Sequence, residues 1–276
     1  KIIIFNTILP NIIKNRSINK NSILLPNKDY LEKFLVGLLD GDGCITVFHD
    51  KSNNYLRIKI LIALLNNELN LYMFNLLKKK LEMGRISIER KDKYVIYYIE
   101  SKKDIYKTLK ILDKYPLLTS RKICQLEYFK KFLENRNIDN YLNINKANIK
   151  YFKQEDIINK FNKNFLLPDY FNGWLSGFIE AEGNFKLILY KTGGIKSRQF
   201  QIGQNNDKYL LLAIKTYLNS FHKIYIDKDS NPLHYRISIG GEIANNNLLK
   251  HFKENPLLGN KLLSYNIWYN SFKVKN

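Results

Sequence analysis

LVGLLDGDG, at Leu35–Gly43, and LSGFIEAEG, at Leu175–Gly183, are two versions of one nine-residue phrase. Each opens as an apolar run with small residues four apart, Gly37 and Gly41 in the first, Gly177 and Ala181 in the second. Positions i and i+4 share one face of an α-helix. Each copy therefore predicts a helix with a smooth stripe along which a second backbone can approach closely. Each copy ends in two acids separated by one small residue, Asp40 and Asp42, then Glu180 and Glu182. If the two stripes meet, the acids emerge side by side at one end of the helix pair, one cluster from each half of the chain.

The phrase sits inside a chain-long duplication. Asp42 and Glu182 are separated by 182 − 42 = 140 positions, and Asp29-Tyr30 recurs at the same offset as Asp169-Tyr170. Pro116-Leu117-Leu118 recurs as Pro256-Leu257-Leu258, Arg121 corresponds to Lys261, and Leu-Leu-Pro precedes both helices at Leu24–Pro26 and Leu166–Pro168. Markers held in register over that distance identify an internal repeat. Within each unit the periodicity reads helix, strands, helix, strands, helix, with Asp29 and Asp169 placed as N-caps of the first helix. Strands are expected at Cys44–Phe48, Tyr55–Leu64, Arg85–Arg90 and Lys93–Glu100, then at Asn184–Tyr190, Arg198–Gln204, Lys223–Asp227 and Leu233–Ile239. Helical spacing covers Asn70–Leu81, Asp207–Leu218, Ile123–Leu133 and Leu262–Phe272, and the polar, Asn- and Lys-rich stretch Glu134–Asn164 reads as a linker. The chain thus divides into an N-terminal unit with an extension (1–133), a linker (134–165) and a C-terminal unit (166–276).

In Leu233–Gly240, Leu233, Tyr235, Ile237 and Ile239 alternate with His234, Arg236 and Ser238; Phe185, Leu187 and Leu189 alternate with Lys186, Ile188 and Tyr190, and Lys196 and Arg198 follow. A strand sends alternate residues to opposite faces, so each sheet has a packed face and a polar one. A polar sheet face carrying Arg, Lys, Gln, Ser and Tyr can enter a major groove and bond base edges.

The 276 residues carry 45 Lys and Arg against 25 Asp and Glu, a formal charge of +20. A field of that size attracts polyanions and supports salt-dependent nucleic-acid binding. Two cysteines, Cys44 and Cys124, make neither a disulfide framework nor a zinc site and read as packing residues. His49, His222, His234 and His251 lie too far apart in sequence to suggest a ligand pair. No apolar run reaches the roughly 20 residues of a membrane span, and Lys1–Lys14, interrupted by Pro10, does not read as a signal peptide. The chain opens on Lys1 rather than Met, as a trimmed or mature product does, and its wealth of Lys, Asn, Ile, Leu and Tyr is what AT-rich organellar coding produces.

The duplicated phrase resembles the signature of the LAGLIDADG homing endonucleases in their single-chain, two-motif form, encoded by organellar group I introns. The resemblance spans both units. It implies an α+β fold of two pseudo-symmetric αββαββα subdomains, each with a curved antiparallel sheet, forming a DNA-binding saddle with the two motif helices packed at its centre. It implies a monomer in the mitochondrion that cuts both strands of a long asymmetric duplex, one active site per strand, leaving short 3′ overhangs.

Elementary electrostatics points to metal at the same place. Carboxylates at a helix C-terminus meet the negative end of the helix dipole, and two of them together need a compensating cation. Hard cations such as magnesium favour oxygen ligands and can activate water while neutralising phosphate charge. The resemblance assigns the acid before the final glycine as ligand, hence Asp42 and Glu182, with the carbonyls of Gly41 and Ala181; Asp40 and Glu180 are left to the helix interface. It implies Mg2+, with Mn2+ substituting and Ca2+ binding without supporting cleavage. It also supplies a cation after the Pro-Leu segment, Lys261 and Arg121 (with Lys122 adjacent), and a water-positioning polar residue at the end of the second strand. Gln204 fits that place; its counterpart Asn67 is reached only by a three-residue shift, which predicts unequal sites. Base contacts are expected from Arg57, Lys59, Arg85, Lys186, Tyr190, Lys196, Arg198, His234, Arg236 and Ser238. Two other readings compete: a maturase that binds host intron RNA with little or no cleavage, and a plain DNA-binding factor. Neither needs an acid at both Asp42 and Glu182.

Overall fold

The computed structural model describes residues 26–146, 149–192 and 194–273. The expected N-terminal extension and the first Leu-Leu pair fall on residues 1–25, outside the described residues. In chain order the first half contains α1 (Lys28–Asp42), β1 (Gly43–Asp50), β2 (Tyr55–Leu65), α2 (Glu68–Leu81), β3 (Arg85–Glu89), β4 (Tyr94–Ile99), α3 (Lys102–Lys114) and α4 (Ser120–Glu134). The intervening segment holds α5 (Ile138–Lys146), a 3-10 turn (Ile149–Tyr151) and α6 (Gln154–Lys163). The second half repeats the order with α7 (Phe171–Glu182), β5 (Asn184–Leu189), β6 (Ile195–Asn205), α8 (Lys208–Tyr217), β7 (Ile224–Asp227), β8 (His234–Ile239), α9 (Glu242–Glu254) and α10 (Lys261–Asn270). A final 3-10 turn covers Ser271–Lys273. Each half thus carries one more helix, α3 or α9, than the order read from periodicity.

Both sheets are antiparallel and identically connected, β1-β2-β4-β3 and β5-β6-β8-β7. The 140-residue offset survives at the level of register: Gly43 pairs with Ile62, and Asn184 pairs with Gln201 as Cys44 pairs with Leu61. One face of each sheet packs under the helices. Ile45, Val47, Ile58, Ile60, Ile62, Val95 and Tyr97 supply it in the first half, and Phe185, Phe200, Ile202, Ile237 and Ile239 in the second. One continuous apolar core joins these layers through α1 and α7, with Trp174, Phe178, Phe34 and Leu38 fully buried at the centre. Burying a side chain of that size stabilises by about 2–3 kcal/mol, so the central helices are anchored from all sides.

The N-cap of α1 is Asn27, whose side chain accepts the Tyr30 amide at 2.8 Å. Asp29, expected in that role, lies within the first turn and binds Lys33 at 2.5 Å, Lys114 at 3.1 Å and the Tyr115 hydroxyl. In the second half Tyr170 occupies the N-cap without a side-chain bond, so Asp169 does not cap α7 either. The two tyrosines of the repeated Asp-Tyr pair tie the halves together. Tyr30 donates to the carbonyl of Pro256 at 2.6 Å, and Tyr170 donates to that of Pro116 at the same distance.

Candidate active site

The two motif helices end together. A Cβ on Gly41 would fall 2.3 Å from that of Ala181, so these two small residues put the helix ends in contact. Extended backbone at Gly43 and Gly183 stops each helix, and each glycine amide still closes on the carbonyl four residues back, Leu39 and Ile179. Asp42 and Glu182 are consequently the last residues of their helices and stand beside each other. The Glu182 carboxyl is pushed up to about 6, first by burial and then by the charge of Asp42, against the pull of Lys122 and Lys261. Burial also raises Asp42, opposed by Lys261 and then Lys122. Neither carboxylate accepts a hydrogen bond or joins an ion pair among the described residues.

Two acids side by side at the negative ends of two helices, with no protein donor among the described residues, suit a hard divalent cation. The helix-end carbonyls of Gly41 and Ala181 belong to the last turns, whose carbonyls lack intrahelical partners, and add oxygens of the same kind. No third His, Cys, Asp or Glu joins the pair among the described residues. That matches the needs of magnesium, which keeps several waters and accepts one or two carboxylates.

The other two acids are differently occupied. Asp40 is buried and accepts from the Leu118 amide (2.8 Å), the Thr119 amide (3.0 Å), the Thr119 hydroxyl (2.6 Å) and the Trp174 indole (2.7 Å). Glu180 accepts from the amides of Gly259 (3.0 Å) and Lys261 (2.8 Å). Burial raises both groups, while the donated bonds oppose it. Each acid thereby fixes the start of its own half's last helix, and so the cation carried there. A sequence pattern of acid–small–acid cannot separate these roles; only the burial of one acid and the exposure of the other do.

The surroundings of the acid pair are unequal. A cleft of about 260 Å3 is lined on one side by Glu182, Gln204 and Asn205 from the second half and by Thr119, Arg121 and Lys122 from the first. Tyr151 and Gln154, from the segment between the halves, also line it. Lys122 is buried, its ammonium bonded to the carbonyl of Gly43 and pushed down by desolvation. Arg121 stacks over the Tyr151 ring at 5.7 Å, the Tyr151 hydroxyl accepts from Gln125 at 3.2 Å, and Gln154 donates to Ser120 at 3.0 Å. At the 140-residue offset, the partners of Arg121, Lys122 and Gln204 are Lys261, Leu262 and Leu64. Register confirms that equivalence, since the amides of Asn66 and Asn206 bond the carbonyls of Lys93 and Leu233 in the same way. Asn67, reached earlier by a shift, is instead the N-cap of α2; it accepts the Asn70 amide at 3.0 Å and does not line this cleft. The strand position facing Asp42's side of the junction is therefore apolar. Tyr151 and Gln154 carry no sequence signal because they lie in a polar linker, where the offset sets Asn11 and Lys14 against them.

The expected base contacts divide by strand parity. Arg57, Lys59 and Arg85 project from the uncovered face of the first sheet, with Lys59 over Phe48 (5.0 Å) and Tyr98 (5.4 Å) and Arg85 over Tyr98 (4.2 Å). Lys186, His234, Arg236 and Ser238 project from the uncovered face of the second. Lys196 sits at the irregularity between β5 and β6, and Tyr190 follows β5, half-exposed. Arg198 is the exception. It pairs with Leu187 on the helical side, donates to the Ser271 hydroxyl at 2.8 Å and to the Ser271 carbonyl, and stacks over Phe272 at 4.8 Å. It anchors the last turn of the chain and is not presented to a duplex. Cys124 is buried as expected, whereas Cys44 is exposed on the uncovered face.

Paired acids at a pseudo-two-fold helix junction, between two open sheets of a strongly basic chain, suit a hydrolase that acts on nucleic acid. The sequence model of the LAGLIDADG endonuclease family matches residues 35–133 and 175–272, and the chain belongs to that family of DNA-cleaving hydrolases. It is 35% identical to a probable intron-encoded endonuclease aI3 of Debaryomyces hansenii, over 90% of this chain and 39% of that protein. It is 34% identical to a protein of the same description from Dictyostelium citrinum, over 88% of this chain and 95% of that one. The chain thus spans well under half of the first relative and nearly all of the second. Among solved structures, the homing endonuclease I-GzeII in complex with its DNA target has the same fold, with a TM-score of 0.66 at 20% identity over 87% of this chain and 88% of that one. The meganuclease I-AabMI bound to uncleaved DNA gives 0.65 at 23% identity, over 87% and 89%. No helix among the described residues is long and apolar enough to cross a membrane.

Proposed function

We propose that this chain is a site-specific homing endonuclease that hydrolyses one phosphodiester in each strand of a long asymmetric duplex. The observation that carries this reading is the pair Asp42 and Glu182, contributed by opposite halves, adjacent and with no hydrogen-bond or ion-pair partner among the described residues. Asp42 and Glu182, with the carbonyls of Gly41 and Ala181, would hold magnesium, which would activate water and neutralise phosphate charge. Gln204 orients water on the Glu182 side. Arg121, Lys122 and Lys261 offset charge that develops on the phosphate, an electrostatic contribution typically among the largest in such reactions. Both acids come from one chain, so a monomer suffices. Cuts placed on either side of the two-fold across the minor groove would leave short 3′ overhangs. The relatives' description as intron-encoded and the AT-rich type of composition support a mitochondrial setting.

The deciding experiment incubates intronless host organellar DNA with the protein and magnesium, calcium or chelator, alongside Asp42→Asn and Glu182→Gln. A discrete magnesium-dependent double-strand cut, absent from both variants while duplex binding persists, is the expected result. Unchanged cleavage by both variants would overturn the site assignment.

A further inference from the structure

The two open sheet faces share their strand order and the register of their central strands, and differ in chemistry where they approach the acids. β1 and β5 begin immediately after the motif helices, so the first residues of these strands and their partners lie nearest the junction. In the first half the open face there carries Cys44, Leu61, Ala63, Leu65, Tyr94 and Ile96. At the 140-residue offset the second half carries Asn184, Gln201, Gly203, Asn205, His234 and Arg236. Six apolar or weakly polar positions are matched by five hydrogen-bonding ones and a glycine. On the second strand of each sheet the difference is not one of burial: Leu65 is 55% exposed and Ala63 is exposed, while Gln201 is half-buried. Nor does Ile96 belong to the core beneath the helices, since it points the other way.

Cations rim the apolar patch further out on the same face. Arg57, Lys59 and Arg85 stand beyond it along β2 and β3, stacked on Tyr55, Phe48 and Tyr98. An apolar patch between such cations, continuous with the acid pair, fits a groove that offers apolar groups between anionic walls. In the major groove of DNA the apolar base feature is the C5-methyl of thymine, whereas Arg and Gln pair with guanine and adenine edges.

Resting on the nuclease reading above, we infer that the half-site bound by the first sheet is read next to the cut through thymine methyls, and the half-site bound by the second sheet through hydrogen bonds to base edges. Leu61, Ala63 and Leu65 supply the methyl contacts. Gln201 and Arg236 occupy two of the corresponding places on the other side.

The test uses a cleavable duplex selected from a randomised library, with deoxyuridine replacing thymine in one half-site at a time. Deoxyuridine preserves pairing and hydrogen bonding and removes only the methyl. The expected result is a loss of affinity of about fourfold per buried methyl, the worth of one methylene-sized group, confined to the half-site of the first sheet. Leu61→Gln, which gives the first sheet the residue of the second, should erase that sensitivity at its base pair while leaving the other half-site unchanged. Equal sensitivity in both half-sites, or none in either, overturns the inference. If no duplex is selected by cleavage or binding, the nuclease reading itself has failed, and the two failures are distinguishable.

Discussion

Gly37 lies directly against the main-chain carbonyl of Trp174: a Cβ placed on it would fall 1.8 Å from that oxygen, and the two-fold-related Cβ on Gly177 would fall 1.9 Å from the carbonyl of Phe34. These obstacles are backbone atoms, so no side-chain rotation relieves them. Gly37→Ala and Gly177→Ala should therefore cost more than ordinary overpacking, which runs at about 1–3 kcal/mol. Each substitution should lower the thermal midpoint by at least about 5 °C, and the pair together should do worse than either alone because both open the same helix interface. A melt within 1–2 °C of the parent for either variant would show that the helices separate more readily than this packing implies.

Burial has fixed the charge state of one histidine outside the cleft. His251 is 3% exposed, with Ser176 of α7 at 2.9 Å from Nε2 and Tyr217 of α8 at 2.9 Å from Nδ1. Desolvation pushes it down from 6.5 to about 3. Between those values the unfolded chain binds the proton and the folded chain does not, so this group's contribution is present above about pH 6.5 and fades as pH falls towards 3. The loss over that window should be on the order of 3–5 kcal/mol. Urea unfolding of the parent and of His251→Asn at pH 7, 6, 5 and 4 checks it. The variant should be less stable at pH 7 yet show a shallower decline, and parallel curves would refute the assignment.

The repeat and the acid pair were legible in the sequence because each is a local pattern. Small residues at four-residue spacing dictate close helix packing whatever surrounds them, and the offset of 140 carries over from sequence to the register of the inner strands, β1-β2-β4 and β5-β6-β8, up to the irregularity after Ile188. What could not be read depends on who meets whom across the fold. Asp29 has the chemistry of a cap, yet Lys114 and Tyr115 lie 85 and 86 residues away and capture it, leaving the role to Asn27. Asn67 looked like a second Gln204 until the register assigned that place to Leu64. The amphipathic α3 and α9 were hidden between strand and Pro-Leu markers that read as one connection.

Strand parity separates two arginines that looked equivalent. Arg236 is exposed on the open face of the second sheet, whereas Arg198 is held by Ser271 and Phe272 on the helical side. Arg236→Ala should weaken duplex binding by about tenfold or more, the scale of a lost bidentate base contact, and leave the thermal midpoint nearly unchanged. Arg198→Ala should do the reverse, lowering the midpoint while the folded fraction binds normally. Fluorescence anisotropy at fixed salt and a thermal melt on both variants decide the matter; weaker binding by folded Arg198→Ala would place that side chain on the DNA after all.

The unequal cleft predicts unequal strand cutting. On the Glu182 side Arg121 is stacked on Tyr151, Lys122 is buried nearby and Gln204 ends its strand; on the other side the equivalent places hold Lys261, Leu262 and Leu64. A reaction timed on a duplex labelled at both 5′ ends should show one strand cut before the other, with a nicked intermediate rising and falling. Gln204→Ala and Tyr151→Leu should slow only the faster strand, by about ten- to a hundredfold for the water-orienting glutamine and less for the tyrosine, which acts through Arg121. Both cuts would then proceed at similar rates and the nick would cease to accumulate on the original strand. Leu64→Gln should act in the opposite sense and speed the slower strand. A purely structural role for Tyr151 would slow both strands alike, so it is the ratio of the two rates that tests the asymmetry.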